Sequence, residues 1–441
     1  MASAAAAPDR RPSAKGGSFA RRQQAKPRPR RVAPPLEHRI LVTATLCLLA
    51  FGAVMVYSAS SPSGVIAGSG LGTGEFVRYL IFGGLGLVCM QVLARGGLGL
   101  LNPRVVKLML IGSVALLLLV LAPGFGINVN GARRWFAAGP VQFQPSELLK
   151  LSLVLYVAHF LAKNPNRVGG RGGRARLVPL ITPIAIAAGP GCLLIMVEPD
   201  MGTTLVIAFT IAALLIAAGI PLRQLALIGV IAAGIVVLFV LAQPYQRARL
   251  TSFLHPWASK STAGFQAVQG QIALGSGGLF GVGLGRSVQK VFYLPEAQTD
   301  FILAVVGEEL GVMGIGLVVV LYGMVGYAGL RAARRAADRY AKLLATGLTS
   351  LILCQGILNI FVVLGIAPLT GVPLPFISYA PTNLCVLLAA VGLLLAIARP
   401  GARRLQAVEA PRGDATADRD RRRRDRGARR ASAGRRRRAE N

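Results

Sequence analysis

The chain has 441 residues, 54% of them hydrophobic and 15% charged. A soluble globular protein of that length carries fewer apolar residues and about 25% charge, so the composition excludes an ordinary soluble enzyme. The net charge of +32 does not argue for nucleic acid, because much of the excess lies in residues 1–39 and 399–441, outside the apolar body. Both tails are rich in Arg, Ala, Pro and Gly, so they are expected to be disordered. The arginine runs 421–424 and 435–438 suit an anionic membrane surface, where each basic residue gains about 1 kcal/mol.

Ten apolar stretches follow one another along the body: 40–58, 77–94, 105–122, 146–162, 177–196, 203–219, 223–242, 302–328, 341–363 and 384–398. Each approaches the roughly 20 residues needed to cross a bilayer core. The expected fold is therefore all-α, a polytopic membrane protein with about ten transmembrane helices spanning 40–398. Some forty polar and basic residues precede the first apolar run, which is not the pattern of a signal peptide. Cys47, Cys89, Cys192, Cys354 and Cys385 lie in apolar stretches without a C-x-x-C pair and read as small hydrophobes. His38, His159 and His255 are too scattered to suggest a metal site.

Orientation follows from the basic residues. Alternate connections carry Arg95/Arg104/Lys107, Lys163/Arg167/Arg171/Arg174/Arg176, Arg223 and Arg331/Arg334/Arg335/Arg339/Lys342. The positive-inside rule places these, and both termini, in the cytoplasm. The other face then holds the loop 123–145, the turn Glu198-Pro199-Asp200, a long loop 243–301 and the loop 364–383. The long loop mixes apolar, aromatic and Gly-rich residues, and such loops are usually functional.

Five segments on or near that face carry candidate chemistry. The long loop ends in Glu296-Ala297-Gln298-Thr299-Asp300-Phe301 as it enters an apolar helix. Thr299 or Asp300 suits a helix cap; a carboxylate partly desolvated at the interface equally suits a general base. Glu308 and Glu309 fall about two turns inside that helix, roughly 12–14 Å deeper at 1.5 Å per residue. They suit a structural pair with a cation from a neighbouring span, or a cavity wall. Arg133-Arg134-Trp135 suits either an anionic headgroup or an interfacial aromatic anchor with snorkelling cations, as does Lys150 just inside a helix that opens Pro145-Ser146-Glu147. The turn at Glu198 to Asp200 needs no role beyond a helix cap. Finally, Pro373-Leu374-Pro375-Phe376-Ile377-Ser378-Tyr379 is Pro-broken, and non-helical backbone near membrane depth usually lines a cavity.

In this order and spacing the five segments resemble the SEDS family (shape, elongation, division and sporulation), over roughly 40–398 and neither tail. The stretch 286–297 is similar to the FtsW/SpoVE branch. The resemblance implies a peptidoglycan glycosyltransferase acting on lipid II. In that reaction the 4-hydroxyl of an acceptor sugar attacks C1 of the donor, and undecaprenyl pyrophosphate departs with inversion. It implies Asp300 as the catalytic residue. It also implies substrate contacts from Arg133, Arg134, Trp135, Glu147, Lys150, Lys290, Glu296 and Ser378, and a class B penicillin-binding protein and other cell-division proteins as partners. A divalent cation is compatible with this chemistry, although no protein metal site is expected. The chain departs from the family pattern at Gln298, where His is usual, and at Ala380-Pro381-Thr382-Asn383, where Gly-Gly-Ser-Ser is usual. It also lacks the common acidic residue near His255-Pro256-Trp257. Two rival readings share these features: a lipid II flippase, for which Glu308 and Glu309 would mark a through-membrane path, and a non-catalytic scaffold for a transpeptidase.

Overall fold

The computed structural model describes residues 35–66, 73–129, 132–138, 141–168, 177–260, 264–291 and 294–399. The two tails expected to be disordered lie almost wholly outside the described residues, as do Arg171, Arg174 and Arg176. Thirteen α-helices occur in chain order among the described residues. They are α1 (Leu36–Ile66), α2 (Gly74–Gly96), α3 (Pro103–Leu121), α4 (Pro145–Lys163), the single turn α5 (Pro165–Val168), α6 (Leu177–Val197), α7 (Met201–Ala218) and α8 (Leu222–Ala242), followed by α9 (Pro244–Leu254), α10 (Phe265–Gly277), α11 (Ile302–Arg335), α12 (Arg339–Val363) and α13 (Pro381–Ala398). Ten of them are long and apolar enough to cross a membrane, matching the expected spans with ends shifted by several residues.

Local chemistry sets the helix ends. Asn102 accepts from Arg104 N with Pro103 behind it, and α3 begins there. Asp200 accepts from Thr203 N and opens α7, which Gly219 closes in the left-handed conformation. Asp338 caps α12 through Ala341 N. Helices α4 and α13 are the most deeply packed, with 72% of each apolar window buried, and α11 and α12 follow at 61%. Helix α8 stands at the other extreme. It buries none of its residues and packs lightly on α7 and α9.

The loop after α3 adds a small antiparallel sheet to an otherwise helical fold. Strands β1 (Ile127–Val129), β2 (Ala132–Ala138) and β3 (Val141–Phe143) follow in order. Asn128 pairs with Arg133, and Phe136 with Phe143. The long loop is likewise structured: α9 and α10 lie within it.

Two stretches depart from helix where backbone polar groups most need partners. The first is a break in α11 at Gly311, with φ 65° and ψ −162°, so the expected continuous span 302–328 is two helical pieces. The Gly-rich segment after α10 fills the gap. Val282 N donates to Glu308 O and Gly283 N to Glu309 O, while Val312 N and Met313 N donate back to Gly278 O and Leu279 O. This exchange needs glycine, because a Cβ on Gly281 would fall 2.1 Å from Glu309 O.

The second stretch is the Pro-broken segment between α12 and α13. Its carbonyls are taken one after another by side chains from the spans. Asn359 Nδ2 donates to Val372 O (2.8 Å), Gln355 Nε2 to Pro373 O (2.9 Å), Tyr322 Oη to Pro375 O (2.6 Å) and Tyr79 Oη to Phe376 O. Gln355 lies eight residues before the end of α12, roughly 12 Å along its axis at 1.5 Å per residue, so the segment dips well below that end.

Candidate active site at the end of the long loop

Asp300 does not cap α11, so the cap expectation for Thr299 or Asp300 is corrected. The helix begins at Ile302 with Phe301 as its N-cap residue and no side-chain cap bond. The intervening turn is closed instead by Glu296 O, which accepts from Thr299 N (3.1 Å) and Phe301 N (3.4 Å). Asp300 is thus free of a structural duty to the helix. Its backbone carbonyl accepts from Asn359 Nδ2 at 2.7 Å. Its carboxylate is half-buried and faces Gly371, where a Cβ would lie 3.9 Å from Oδ2. Thr299 Oγ1 lies 3.2 Å from Oδ1. Burial first, and the Glu296 carboxylate second, push the Asp300 pKa up to about 6, while a backbone N–H, the Thr299 hydroxyl and Arg249 pull it down. A carboxylate so tuned is ionised at neutral pH yet more basic than usual.

Arg249, from α9, is the cation that acts on Asp300. Its guanidinium donates to Leu369 O at 3.2 Å and stacks over Tyr245, 4.8 Å from the ring centroid. The Leu369–Val372 backbone therefore lies between Arg249, Asn359 and Asp300, and Tyr379 N ties the far end of the segment to Gln298 O at 2.9 Å.

The other expected site residues divide into two groups. Arg133 is exposed on β2 and Trp135 is partly buried beside it. Arg134 turns inward: Nε donates to Glu198 O and Nη2 to Pro199 O, both at 2.7 Å. Gln246 of α9 also donates to Pro199 O, and Gln144 to Asp200 Oδ2. Hairpin, turn and α9 thus form one polar cluster next to the Asp300 region, since Gly202 abuts Thr370 and Val372. Glu296 is exposed at the lip.

The structure places Glu147, Lys150, Lys290 and Ser378 inside the bundle. Lys150 Nζ lies 2.9 Å from Glu147 Oε1 and donates to Gln355 Oε1 at 3.0 Å; Asn383 Nδ2 donates to Glu147 Oε2 at 2.7 Å. With side chains 1% and 2% exposed, this pair supports the 370–379 segment from below rather than meeting a headgroup directly. Ser378 Oγ accepts from Leu374 N at 2.8 Å and braces that same segment. Lys290 Nζ pairs with Glu309 Oε1 at 2.7 Å, and Ser58 Oγ of α1 lies 2.8 Å from each Glu309 oxygen, with one proton to share between them. Glu308 accepts from Ser287 Oγ and from Val288 N (2.9 Å). The partner of Glu309 is therefore a loop lysine, not the cation of a neighbouring span. Because α11 starts at Ile302, the two acids lie roughly 9–10 Å along it at 1.5 Å per residue.

Gln355, Asn359 and Arg249 were not singled out from sequence. The first two had a readable signal: polar residues four apart in an apolar span share one inward face. Arg249 had none, since its proximity to Asp300 is tertiary. Two departures from the family pattern have structural partners. Thr382 Oγ1 donates to Gln142 O and accepts from Gln144 N, and Asn383 holds Glu147. Among the described residues no three His, Cys, Asp or Glu side chains converge to hold a metal. An apolar groove of about 320 Å³ opens between α3 and α6, lined by Leu110, Val114, Ile186 and Pro190; it holds none of these site residues.

Fold and site together define a multi-pass membrane protein with a tuned carboxylate at one face, held against a buried irregular segment. Comparison with known proteins makes this specific. Residues 39–402 match the FtsW/RodA/SpoVE cell cycle protein family, and the chain belongs to that family. It is 39% identical over 362 residues to stage V sporulation protein E of Bacillus subtilis, covering 82% of this chain and 96% of that one. It is 42% identical over 364 residues to the probable peptidoglycan glycosyltransferase FtsW of Coxiella burnetii, covering 81% and 95%. Among solved structures it resembles a chain of a peptidoglycan synthase complex that coordinates polymerization and crosslinking (TM-score 0.65, 28% identity, 83% and 98% covered). The rod shape determining protein RodA of Thermus thermophilus is similar at TM-score 0.57 and 28% identity, with 83% and 97% covered.

Proposed function

We propose that this protein is a peptidoglycan glycosyltransferase that polymerises lipid II at the outer face of the bacterial inner membrane, with both termini in the cytoplasm. The observation that carries this reading is Asp300: a half-buried carboxylate at the end of the long loop, just before a span-length helix, not engaged as a cap, with its pKa pushed up to about 6. In this reading Asp300 takes the proton of the acceptor 4-hydroxyl as that oxygen bonds to C1 of the donor sugar. The bond from C1 to the pyrophosphate oxygen breaks on the opposite face, and undecaprenyl pyrophosphate leaves. Arg133, exposed on β2 beside Arg134, suits the departing pyrophosphate through its planar fork of donors. The family relationship supports the reading, since relatives are named as probable glycosyltransferases. A solved relative belongs to a synthase complex, which supports a class B penicillin-binding transpeptidase as partner here. The flippase reading draws less support, because Glu308 and Glu309 are both engaged by internal partners.

Lipid II polymerisation by the purified protein with its transpeptidase partner tests this. Asp300→Asn is expected to lose activity by about 10²-fold or more while keeping its melting temperature and its partner. Glycan chains from both proteins would remove Asp300 as the base. Chains from neither, beside an active control polymerase, would favour transport or scaffolding.

A further inference from the structure

Three carboxylates gather where the end of the long loop meets α2: Glu75, Glu296 and Asp300. Two neutral donors stand between them. Gln298 Nε2 donates to Glu75 Oε1 at 3.4 Å. Thr299 Oγ1 lies 3.0 Å from Glu296 Oε2, 3.1 Å from Glu296 O and 3.2 Å from Asp300 Oδ1. A hydroxyl has one proton to donate, so these three acceptors compete for it. Two of the three belong to Glu296.

The backbone at Glu296 argues that this competition is built in. Its φ is 55°, in the left-handed region that few residues other than Gly, Asn and Asp adopt. Such strain persists where the surroundings over-determine it, and it clusters at functional sites. Here the Glu296 carbonyl is fixed by Thr299 N and Phe301 N, and that turn brings the side chain over Thr299.

We propose that Glu296 and Thr299 are positioning residues for Asp300: Glu296 draws the Thr299 proton away from Asp300 Oδ1 and so keeps the base carboxylate under-donated and reactive. The inference rests on Asp300 being the base. Neither residue need touch substrate. The charged groups facing this unit are few. Arg249 of α9 acts on Asp300; Glu75 of α2 faces Glu296, with Arg78 beside it. Helix α12 contributes the neutral Asn359, and the 369–372 segment contributes backbone.

The two residues act in opposite senses, which gives the test. Losing the Glu296 charge removes a like-charge neighbour and releases the Thr299 proton to Asp300; both favour the ionised base. Losing the Thr299 hydroxyl removes a donor to the ionised base. Polymerisation by the protein with its transpeptidase partner would be followed from pH 4.5 to 8 for wild type, Glu296→Gln, Thr299→Val and Thr299→Ser. The acid limb is expected to move down by about half a unit in Glu296→Gln and up by a similar amount in Thr299→Val. Normalised to their pH 8 rates, the two variants would then differ by about tenfold on the steep part of the limb. Thr299→Ser keeps the hydroxyl and is expected to track wild type. Limbs that coincide, or that move in the same direction, would overturn the inference. If Asp300→Asn is inactive while the limbs stay fixed, only this inference falls; if Asp300→Asn is active, the base assignment itself falls.

Discussion

Glu198 is 1% exposed, and neither of its carboxylate oxygens has a hydrogen-bond partner. Desolvation first, then the adjacent Asp200, push its pKa from 4.5 to about 8, with Arg134 opposing. The folded protein therefore holds a proton that the unfolded chain releases near pH 4.5. Stability contributed by this group is full below that pH, declines as pH rises across the window from about 4.5 to 8, and is flat above it. Glu198→Gln should abolish that decline, as read from melting temperatures in detergent between pH 5 and 8.5; a decline unchanged in the variant would refute the assignment. Only part of this was legible in the sequence. The Asp200 cap follows from an acid placed at the start of an apolar helix; Asp300, placed alike, suits a cap equally well and does not form one, and its catalytic role is what the family resemblance implies. Lys290 has a substrate role only through the family resemblance; Lys150 suits a headgroup because a lone lysine near a span end looks the same whether it snorkels or turns inward. Its partner, 205 residues away for Lys150 and Gln355, decides the matter.

At the scale of elements, the long loop and α11 form one unit. The Gly-rich segment repairs the break at Gly311, and Lys290 neutralises Glu309 below it. Removing one partner of a buried pair leaves an uncompensated charge, so Lys290→Ala should destabilise the protein by about 3–5 kcal/mol. Pairing Lys290→Met with Glu309→Met should recover most of that loss; thermal melting of single and double variants compares them. Gly311→Ala is expected to be worse tolerated than Gly316→Ala in the same helix. At Gly311 φ is 65° and a Cβ would sit 2.5 Å from Leu279 C and O, whereas Gly316 has open space. Equal melting temperatures for the two would contradict the break. The ten spans were readable because an apolar run long enough to cross a bilayer has few other uses. The break was not, since Gly311 is one of many glycines and its significance lies in hydrogen bonds to residues some thirty positions earlier. Likewise β1 to β3, α9 and α10 are too short and too polar to stand out from a loop.

Across the whole molecule, the irregular segment between α12 and α13 is the hub. Side chains from α2, α11 and α12 hold its carbonyls, the Glu147–Lys150 pair lies beneath it, and Asp300 faces its Gly371. The proposed orientation puts this hub near the outer face. In a background without the five native cysteines, a membrane-impermeant maleimide added to intact cells or spheroplasts should label Arg133→Cys and spare Arg334→Cys; both positions are exposed, one in the loop after α3 and the other in the last turn of α11. The reverse pattern would invert the topology.

The Lys290–Glu309–Ser58 junction also bears on how the chain enters the membrane. Synthesis runs from the N-terminus, so Ser58 and Lys290 are made before Glu308 and Glu309 emerge. Each acid in mid-bilayer would oppose insertion by about 2.5–3.5 kcal/mol. In the proposed orientation, export of the long loop and its return to the side of α1 would assemble a receptor for α11 in advance. A chain stalled with that loop still inside would offer its eighth span no partner for its charges, leaving the last three spans, and the hub they complete, unable to settle.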